Sequence, residues 1–463
     1  MPYDIRSLFG CADRIVIPYP LTNEERWHNL NFKTITPWAV EPRAASKTGK
    51  LGDGRVTTSG NGTRTCCGGW QLDYVDVQPG QTYRFEVAVD TEDIAWVRDT
   101  LVCYGKWAHP ETIKNPKGPI QHDFLFVRPT GANRYVFSGE FTAPDDAHHL
   151  TLYYVFRWTA AGSATWLMPV IVPVETPAVP SPVRVCVVTG KAEDRPDQLG
   201  SATANIQYYS DLCRKAINTC QPNLLVLPEI ALQWGVKGSR LDHAISVPGP
   251  ETELFGKIAR EGRTHLVIGA HEKRREATYN SAILLDPDGG VVGSYRKVHL
   301  AEGGEWLCEI TPGSDFSVFD TGIGRIGFNI CMDSSAAESS RMIGLHGADF
   351  LVLPIMGDLR GNSDFDGKWD FDPDKWRAIM RVRAMDQKLC MVVARNRSQG
   401  SCIVNSRGDV LAWNEGDQDC IFAEVQPRDF FRMRGFCQTR LNWYQRRPHL
   451  YADYTDTDNY GPF

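Results

Sequence analysis

The chain predicts two domains, an all-β sandwich or jelly roll over residues 1–178 and a layered α/β domain over residues 179–463, on three observations. Apolar residues alternate with polar ones in the first part, they run continuously in the second, and a proline-rich break separates the two. The length of 463 residues agrees, since single domains typically hold about 100–200 residues.

The alternation is clearest in two segments. "QTYRFEVAV" places Tyr83, Phe85, Val87 and Val89 on one face, and "HLTLYYVFRW" does the same for Leu150, Leu152, Tyr154 and Phe156. Turn residues introduce each of them, "QPG" and "APDD". Strands with one buried face imply a sandwich or jelly roll. Seven of the 13 tryptophans (27, 38, 70, 96, 107, 158 and 166) fall here. Large aromatics usually fill cores, but a row of exposed ones stacks on sugar rings, so carbohydrate is carried as a candidate ligand of this domain.

The break is "VPVETPAVPSPVRVCVV" (172–188), where four prolines precede an apolar β-branched run. It reads as a linker with a boundary near Pro180, followed by the first strand of a new domain. Beyond Val183 come "VRVCVV", "NLLVLP", "THLVIGA", "SAILLDP", "GRIGFNI", "DFLVLPI" and "LCMVVAR", with mixed segments such as "ATANIQYYSDLCRKAINTC" and "DKWRAIMRVRAMDQ" between several of them. Strands buried on both faces and separated by helices make a layered α/β fold, whose chemistry gathers beyond the strand ends.

Composition excludes several functions. With 50 basic and 56 acidic side chains the net charge is −6, so nucleic acid and anionic membranes are not expected partners and a small molecule is. The start "MPYDIRSLFGCADR" is interrupted by charges, and no later stretch approaches the roughly 18 apolar residues of a membrane span. A cytoplasmic location follows as an expectation. Thirteen irregularly spaced cysteines, none in zinc-ribbon spacing, read as mostly reduced thiols with no metal.

Three strand ends stand out: Glu229 closes "NLLVLPE", Lys297 lies near the end of "VVGSYRKVHL", and Cys331 closes "GRIGFNIC". Taken singly, Glu229 reads as a helix cap, Lys297 as a solvated strand-end charge, and Cys331 as buried packing. Together they are a parts list for acyl transfer. The carboxylate takes the thiol proton, the thiolate attacks a carbonyl, and the ammonium stabilises the oxyanion.

"LVLPE", "YRKVHL" and "NICMD", in that order, resemble the Glu–Lys–Cys signature of the nitrilase, or carbon–nitrogen hydrolase, superfamily. "YNSAILLDPDGGVVGSYRKVHL", "GIGRIGFNICMD", "HGADFLVLP", "WRAIMRVRAMDQKLCMVVARNR" and "SCIVNSRGDVLA" resemble further blocks of that family, covering roughly residues 183–425 and extending to the tail "RRPHLYADY". The resemblance implies a four-layer α-β-β-α sandwich, with the front domain as an addition. It also implies Glu229 as general base, Lys297 as oxyanion-side lysine and Cys331 as a nucleophile that forms a thioester. A second glutamate shortly after the lysine fits Glu305 in "AEGGEW" better than Glu302, and Trp306 beside it is a candidate substrate-binding residue. The backbone N–H of Met332 would be the other oxyanion donor.

The chemistry of the residues agrees with the resemblance. A free thiol titrates at about 8.5, so Cys331 needs a base or a neighbouring cation, and Glu229 and Lys297 supply one of each. No metal or organic cofactor is required. Met332-Asp333 in place of Trp-Glu points to an amide over a nitrile. The lack of a basic residue before Arg341 lowers the N-carbamoyl acid reading.

Amine in place of water as acyl acceptor stays open, as does a glycan-binding module with only minor catalysis. "IMGDLRGNSDFDGKWDFDPDKW" (355–376), with six aspartates, is either a pocket lining for a polar or cationic substrate or a solvated surface. The resemblance also implies a homodimer or larger even assembly. The short proline-containing linker suggests that the front domain covers part of the pocket mouth or extends a subunit interface.

Overall fold

The computed structural model describes residues 30–452 apart from 31, 52, 109–120, 178–180, 191–199, 303, 358–370, 398, 428–431, 434, 435 and 438–445. Trp27, part of the linker and most of the aspartate-rich segment therefore lie outside the described residues. Contacts divide the described chain into a unit within Pro180–Asp429 and a unit within Val16–Val179 that also takes residues of Phe430–Phe463. The sequence reading runs the second domain to residue 463, whereas the tail groups with the β unit. Phe436 pairs in parallel with His122, Arg447 meets Asp99 at 2.8 Å, and His449 stacks on Trp96 at 4.1 Å.

The β unit is two sheets. One runs Thr34–Trp38, Cys67–Tyr74, His149–Arg157, Leu101–Ala108, Gln121–Phe124, and the other Lys47–Lys50, Val56–Ser59, Ser163–Trp166, Thr82–Glu92, Arg134–Thr142, Phe126–Pro129. Tyr83, Phe85, Val87 and Val89 meet Leu150, Leu152, Tyr154 and Phe156 in one core, as the period-two pattern requires. Trp70, Trp107 and Trp166 are buried there, and their indole N–H groups donate to Thr57 O, Asp123 Oδ2 and Thr58 Oγ1. Trp96 and Trp158 are exposed, the first stacked on His449 and the second lying under the Arg157 guanidinium at 3.7 Å.

The α/β unit begins with β1 (Val183–Val188), α1 (Ala202–Cys220), β2 (Leu224–Val226), α2 (Pro250–Gly262), β3 (His265–Arg274), β4 (Ala277–Leu285) and β5 (Val291–Arg296). It continues with β6 (Val318–Thr321), β7 (Gly324–Phe328), α3 (Ala337–Leu345), β8 (Phe350–Ile355), α4 (Pro373–Gln387), β9 (Cys390–Arg395), β10 (Cys402–Val404), β11 (Val410–Trp413) and β12 (Cys420–Val425). One sheet is ordered β5-β4-β3-β2-β1-β12 and the other β6-β7-β8-β9-β10-β11.

Alternate side chains of each strand explain the unbroken apolar runs. Val183, Val185 and Val187 of β1 meet Ile326, Val352 and Val392 of the other sheet, while Cys186 and Val188 pack on Tyr209 of α1 and Phe255 of α2. Leu351 and Leu353 of β8 likewise turn to Trp376 and Met380 of α4. Each such side chain contributes about 1.5–3 kcal/mol by leaving water, and a strand with two apolar neighbours needs no polar face. The result is the four-layer α-β-β-α sandwich.

The helix ends are capped. Ser201 Oγ accepts from the Ala204 amide at the start of α1, and Asp372 accepts from Asp374 and Lys375 at the start of α4, where Pro373 fills the first turn. No helix among the described residues is long and apolar enough to cross a membrane.

One glycine fixes the approach of two segments. A Cβ at Gly269 of β3 would lie 2.1 Å from the Pro228 carbonyl oxygen and 3.0 Å from the Glu229 Cα. Only hydrogen fits there. Gly269→Ala is expected to push the 228–229 segment outward, costing about 1–3 kcal/mol of stability and lowering turnover at least ~10-fold. Thermal melting and turnover indistinguishable from wild type would refute this.

Candidate active site

Glu229 follows β2 through Leu227 and Pro228, and the Leu227 amide keeps the segment on the sheet by donating to Val267 O at 2.9 Å. Ile230 then takes a left-handed conformation (φ 42°), unusual for a β-branched residue, which turns the chain away immediately after the carboxylate. Lys297 follows β5, with its amide donating to Asn280 O of β4 at 2.9 Å. Cys331 follows β7 on the other sheet and also sits at positive φ (44°), opening a short 3-10 turn, Cys331–Ser335. A strained turn at a strand end is a recurrent way to hold a nucleophile out of the backbone.

The polar groups converge. Lys297 Nζ donates to Glu229 Oε1 at 3.0 Å and to Glu305 Oε2 at 2.5 Å. Asn280 Nδ2 donates to the same two carboxylates, at 2.8 Å to Glu229 Oε1 and 2.7 Å to Glu305 Oε1. The Ala301 amide donates to Glu305 Oε2 at 2.9 Å, and Asn396 Nδ2 fixes the Glu229 carbonyl at 2.8 Å. Met356 and Gly357, just past β8, touch both halves. The Met356 amide donates to Glu229 Oε2 at 2.9 Å, and the Cys331 thiol lies 3.6 Å from Gly357 O.

Glu229 and Lys297 are 2% and 1% exposed and pair with each other at 3.0 Å, as buried ionisable side chains must. Burial opposes the charge on Lys297, but Glu229, Cys331 and Glu305 outweigh it and hold the amine well above its ordinary range. Burial likewise opposes ionisation of Glu305, and Lys297 together with three hydrogen bonds pulls its carboxyl below the usual value. Burial first, and then the charge of Glu229, push the Cys331 thiol up, with Lys297 opposing. One ammonium between two carboxylates leaves a net negative site, so the resting thiol keeps its proton.

Asp333 braces the Cys331 turn. Its Oδ2 accepts from the Ile330 amide (2.9 Å) and the Tyr295 hydroxyl (2.8 Å), and its Oδ1 accepts from the His299 amide (2.8 Å). His299 Nδ1 lies 2.8 Å from the same oxygen. Tyr295 and His299 flank Lys297, so a fully buried aspartate ties the lysine segment to the cysteine turn. Asp333→Ala leaves three donors facing an apolar void. It should cost about 2–4 kcal/mol of stability and about 10–100-fold in turnover, by the logic of a displaced reacting group. A variant with wild-type turnover would show that the brace does not position Cys331.

Of the residues singled out from sequence, Glu229, Lys297, Glu305 and Cys331 share this site. Glu302 is exposed, so Glu305 is the glutamate at the lysine. Met332 is half-buried directly after Cys331. The Trp306 ring is 66% exposed, outside the buried cluster, although its amide donates to Ala301 O in the turn that carries Glu305. Sequence reasoning passed over Asn280 and Asn396, and took Asp333 only as a sign of substrate class. Asn280 had one visible signal, a polar residue entering an otherwise apolar strand.

The family model described as carbon-nitrogen hydrolase matches residues 194–433. The omega-amidase NIT2 of Homo sapiens is 27% identical over 228 residues, covering 46% of this chain and 78% of that protein. A citrullinase of Francisella tularensis is 30% identical over 227 residues, covering 44% and 74%. The solved carbon-nitrogen hydrolase from Helicobacter pylori G27 aligns with a TM-score of 0.48 at 22% identity, over 59% of this chain and 98% of that one.

Proposed function

The chain belongs to the carbon–nitrogen hydrolase family and is a hydrolase of non-peptide carbon–nitrogen bonds; on that premise we propose that it cleaves amides through a thioester on Cys331. Glu229 takes the thiol proton as sulfur attacks the carbonyl carbon, and Lys297 with the Met332 N–H receives the oxyanion. The C–N bond then breaks, the proton passes from Glu229 to the leaving nitrogen, and ammonia or an amine departs. Glu229 next removes a proton from water, which attacks the thioester, frees the acid and restores the thiol. Glu305 holds Lys297 in place, and no step calls for a metal.

The observation that carries this reading is the Met356–Gly357 segment, which contacts Glu229 and Cys331 at once and so sets base and thiol on one reaction centre. The resting thiol is protonated, which suits a base-assisted attack. Relatives described as an omega-amidase and a citrullinase support an amide or ureide over a nitrile. Incubation with panels of primary amides, nitriles and N-carbamoyl acids, following ammonia release and added mass on Cys331, tests it. Amide-dependent acyl mass that decays with acid release is the expected result; nitrile turnover without amide turnover would overturn it. Hydroxylamine included as acceptor separates hydrolysis from acyl transfer.

A further inference from the structure

A cavity of about 270 Å³ is lined by Ile230, Gln233, Val236, Arg240, His243 and His271 among others. None of its lining residues belongs to the Cys331 turn or to the 356–357 segment. Ile230 follows Glu229 directly, and His271 stands opposite Asn280 in the β3–β4 ladder, on the same sheet face.

Two buried polar atoms belong to His271, which lines the cavity, and to Asn280, its partner in the ladder. Asn280 Nδ2 is spent on both carboxylates, and because carboxylates only accept, its other atom must be the oxygen. Asn280 Oδ1 and His271 Nδ1 have no hydrogen-bond partner among the described residues, although the two residues are only 1% and 5% exposed. Buried polar atoms are nearly always paired, so two unpaired ones on residues paired across the ladder point to a polar ligand group. Burial, then the charge of Arg240, bring His271 down to about 4, which keeps the imidazole neutral at pH 7.

A cation stands in the same wall. Arg240 is partly exposed, and Glu309 lies 3.6 Å from its Nη1, beyond good hydrogen-bond length. Glu309 is also engaged by Ser239 Oγ at 2.8 Å and the Arg240 amide at 3.4 Å. A guanidinium carries five N–H donors, so one loose neighbour leaves capacity for a second anion.

Bond order assigns the side of the substrate. The carbonyl carbon becomes bonded to Cys331 Sγ, so the acyl chain belongs on the thiol side. The nitrogen departs with the proton delivered by Glu229, and Ile230, next in the chain, lines the cavity to which a substituent on that nitrogen is assigned. We propose that this cavity is the amine-side subsite, which receives the substituent of a secondary amide whose amine half bears a carboxylate held by Arg240, as in an N-acylated amino acid. In the balanced step the C–S bond forms, the C–N bond of the amide breaks, and the thiol proton ends on the nitrogen, which leaves as a primary amine. Water then cleaves the thioester to the acid and the free thiol. The inference rests on the roles proposed above for Cys331 and Glu229.

The test compares matched primary amides and N-acylglycines carrying acetyl, butanoyl and benzoyl groups. Wild-type enzyme should favour the N-acylglycine of a matched pair at least ~10-fold in kcat/KM, and both should leave the same acyl mass on Cys331. In Arg240→Gln that preference should fall at least ~10-fold, mainly through KM, and Arg240→Lys should restore part of it. His271→Phe, which fills the cavity, should also abolish the preference. A wild type that favours the primary amide, or an Arg240→Gln variant with unchanged preference and unchanged melting, overturns the subsite. Absence of acyl mass from every amide would instead overturn the thioester mechanism itself.

Discussion

Cys331→Ser should lower amide turnover by about 10⁴-fold or more while leaving the melting temperature within a few degrees of wild type. A serine hydroxyl fits the space of the thiol, but its far higher pKa makes the same proton transfer to Glu229 unfavourable. The reason lies in the electrostatics of the site. Burial and two carboxylates already hold the Cys331 thiol above its ordinary range, so attack by this thiol in the proposed mechanism depends on proton transfer to a base. Alkylation of Cys331 by iodoacetamide should therefore accelerate only at a pH above that of a free cysteine.

Cys420 differs. A hydrogen bond to Cys186, opposed by burial and aided by Lys215, brings its thiol down to about 7, so it should react first near neutrality. Site-resolved mass spectrometry across pH separates the two. Serine turnover near the wild-type rate, or an alkylation midpoint for Cys331 below that of Cys420, would rule out this account.

Lys297→Met should be the most damaging exchange for stability and activity together. Turnover should fall by about 10²–10³-fold from the lost oxyanion donor, and the fold should lose about 3–5 kcal/mol, because Glu229 and Glu305 are left buried without their counter-charge. The sign with pH identifies the cause. In the wild type, the lowered Glu305 carboxyl gives stability that is present above its unfolded value and lost as pH falls through the folded one. The raised Lys297 amine gives stability that is present below its unfolded value and lost as pH rises through the folded one.

Without the ammonium, burial is left to push the Glu305 carboxyl above its unfolded value. The variant should then gain stability as the solution is acidified from pH 8 toward pH 5, a window over which these groups leave the wild type level. Denaturant melts at pH 5 and pH 8 measure this directly. A variant that follows the wild-type trend would mean the two glutamates do not share the lysine.

The layered sheets and the strand-end residues were readable because both follow from short-range pattern. A strand apolar on both sides must be covered on both sides, and a polar residue ending such a strand has few places to go. Glu229, Lys297 and Cys331 were accessible that way. Asn280, Asp333 and Asn396 were not, because each acts on a partner 34 or more positions away in sequence: Asn280 on Glu229, Asp333 on Tyr295 and His299, and Asn396 on Glu229. No local spacing encodes such pairs. The left-handed conformations of Ile230 and Cys331 are equally silent in sequence, since neither residue type favours positive φ. The return of the tail to the β unit was missed for a related reason: one backbone pair, one ion pair and one ring stack leave no periodic trace.

The placement of Glu229 and Lys297 on one sheet and Cys331 on the other makes the α/β unit an internal reporter of its own cooperativity. At the site the polar links across the divide are those of Asn396 to the Glu229 carbonyl, Met356 to the Glu229 carboxylate, and Asp333 to Tyr295 and His299, among the described residues. A partly unfolded form that kept either sheet intact would hold a base without a nucleophile or a nucleophile without a base. In a urea titration, loss of activity should thus coincide with the first parting of the two sheets, even where helical circular dichroism persists. Fluorescence of Trp376, packed on the outer face of one sheet, should lag behind activity if the layers separate in steps and track it if they separate together.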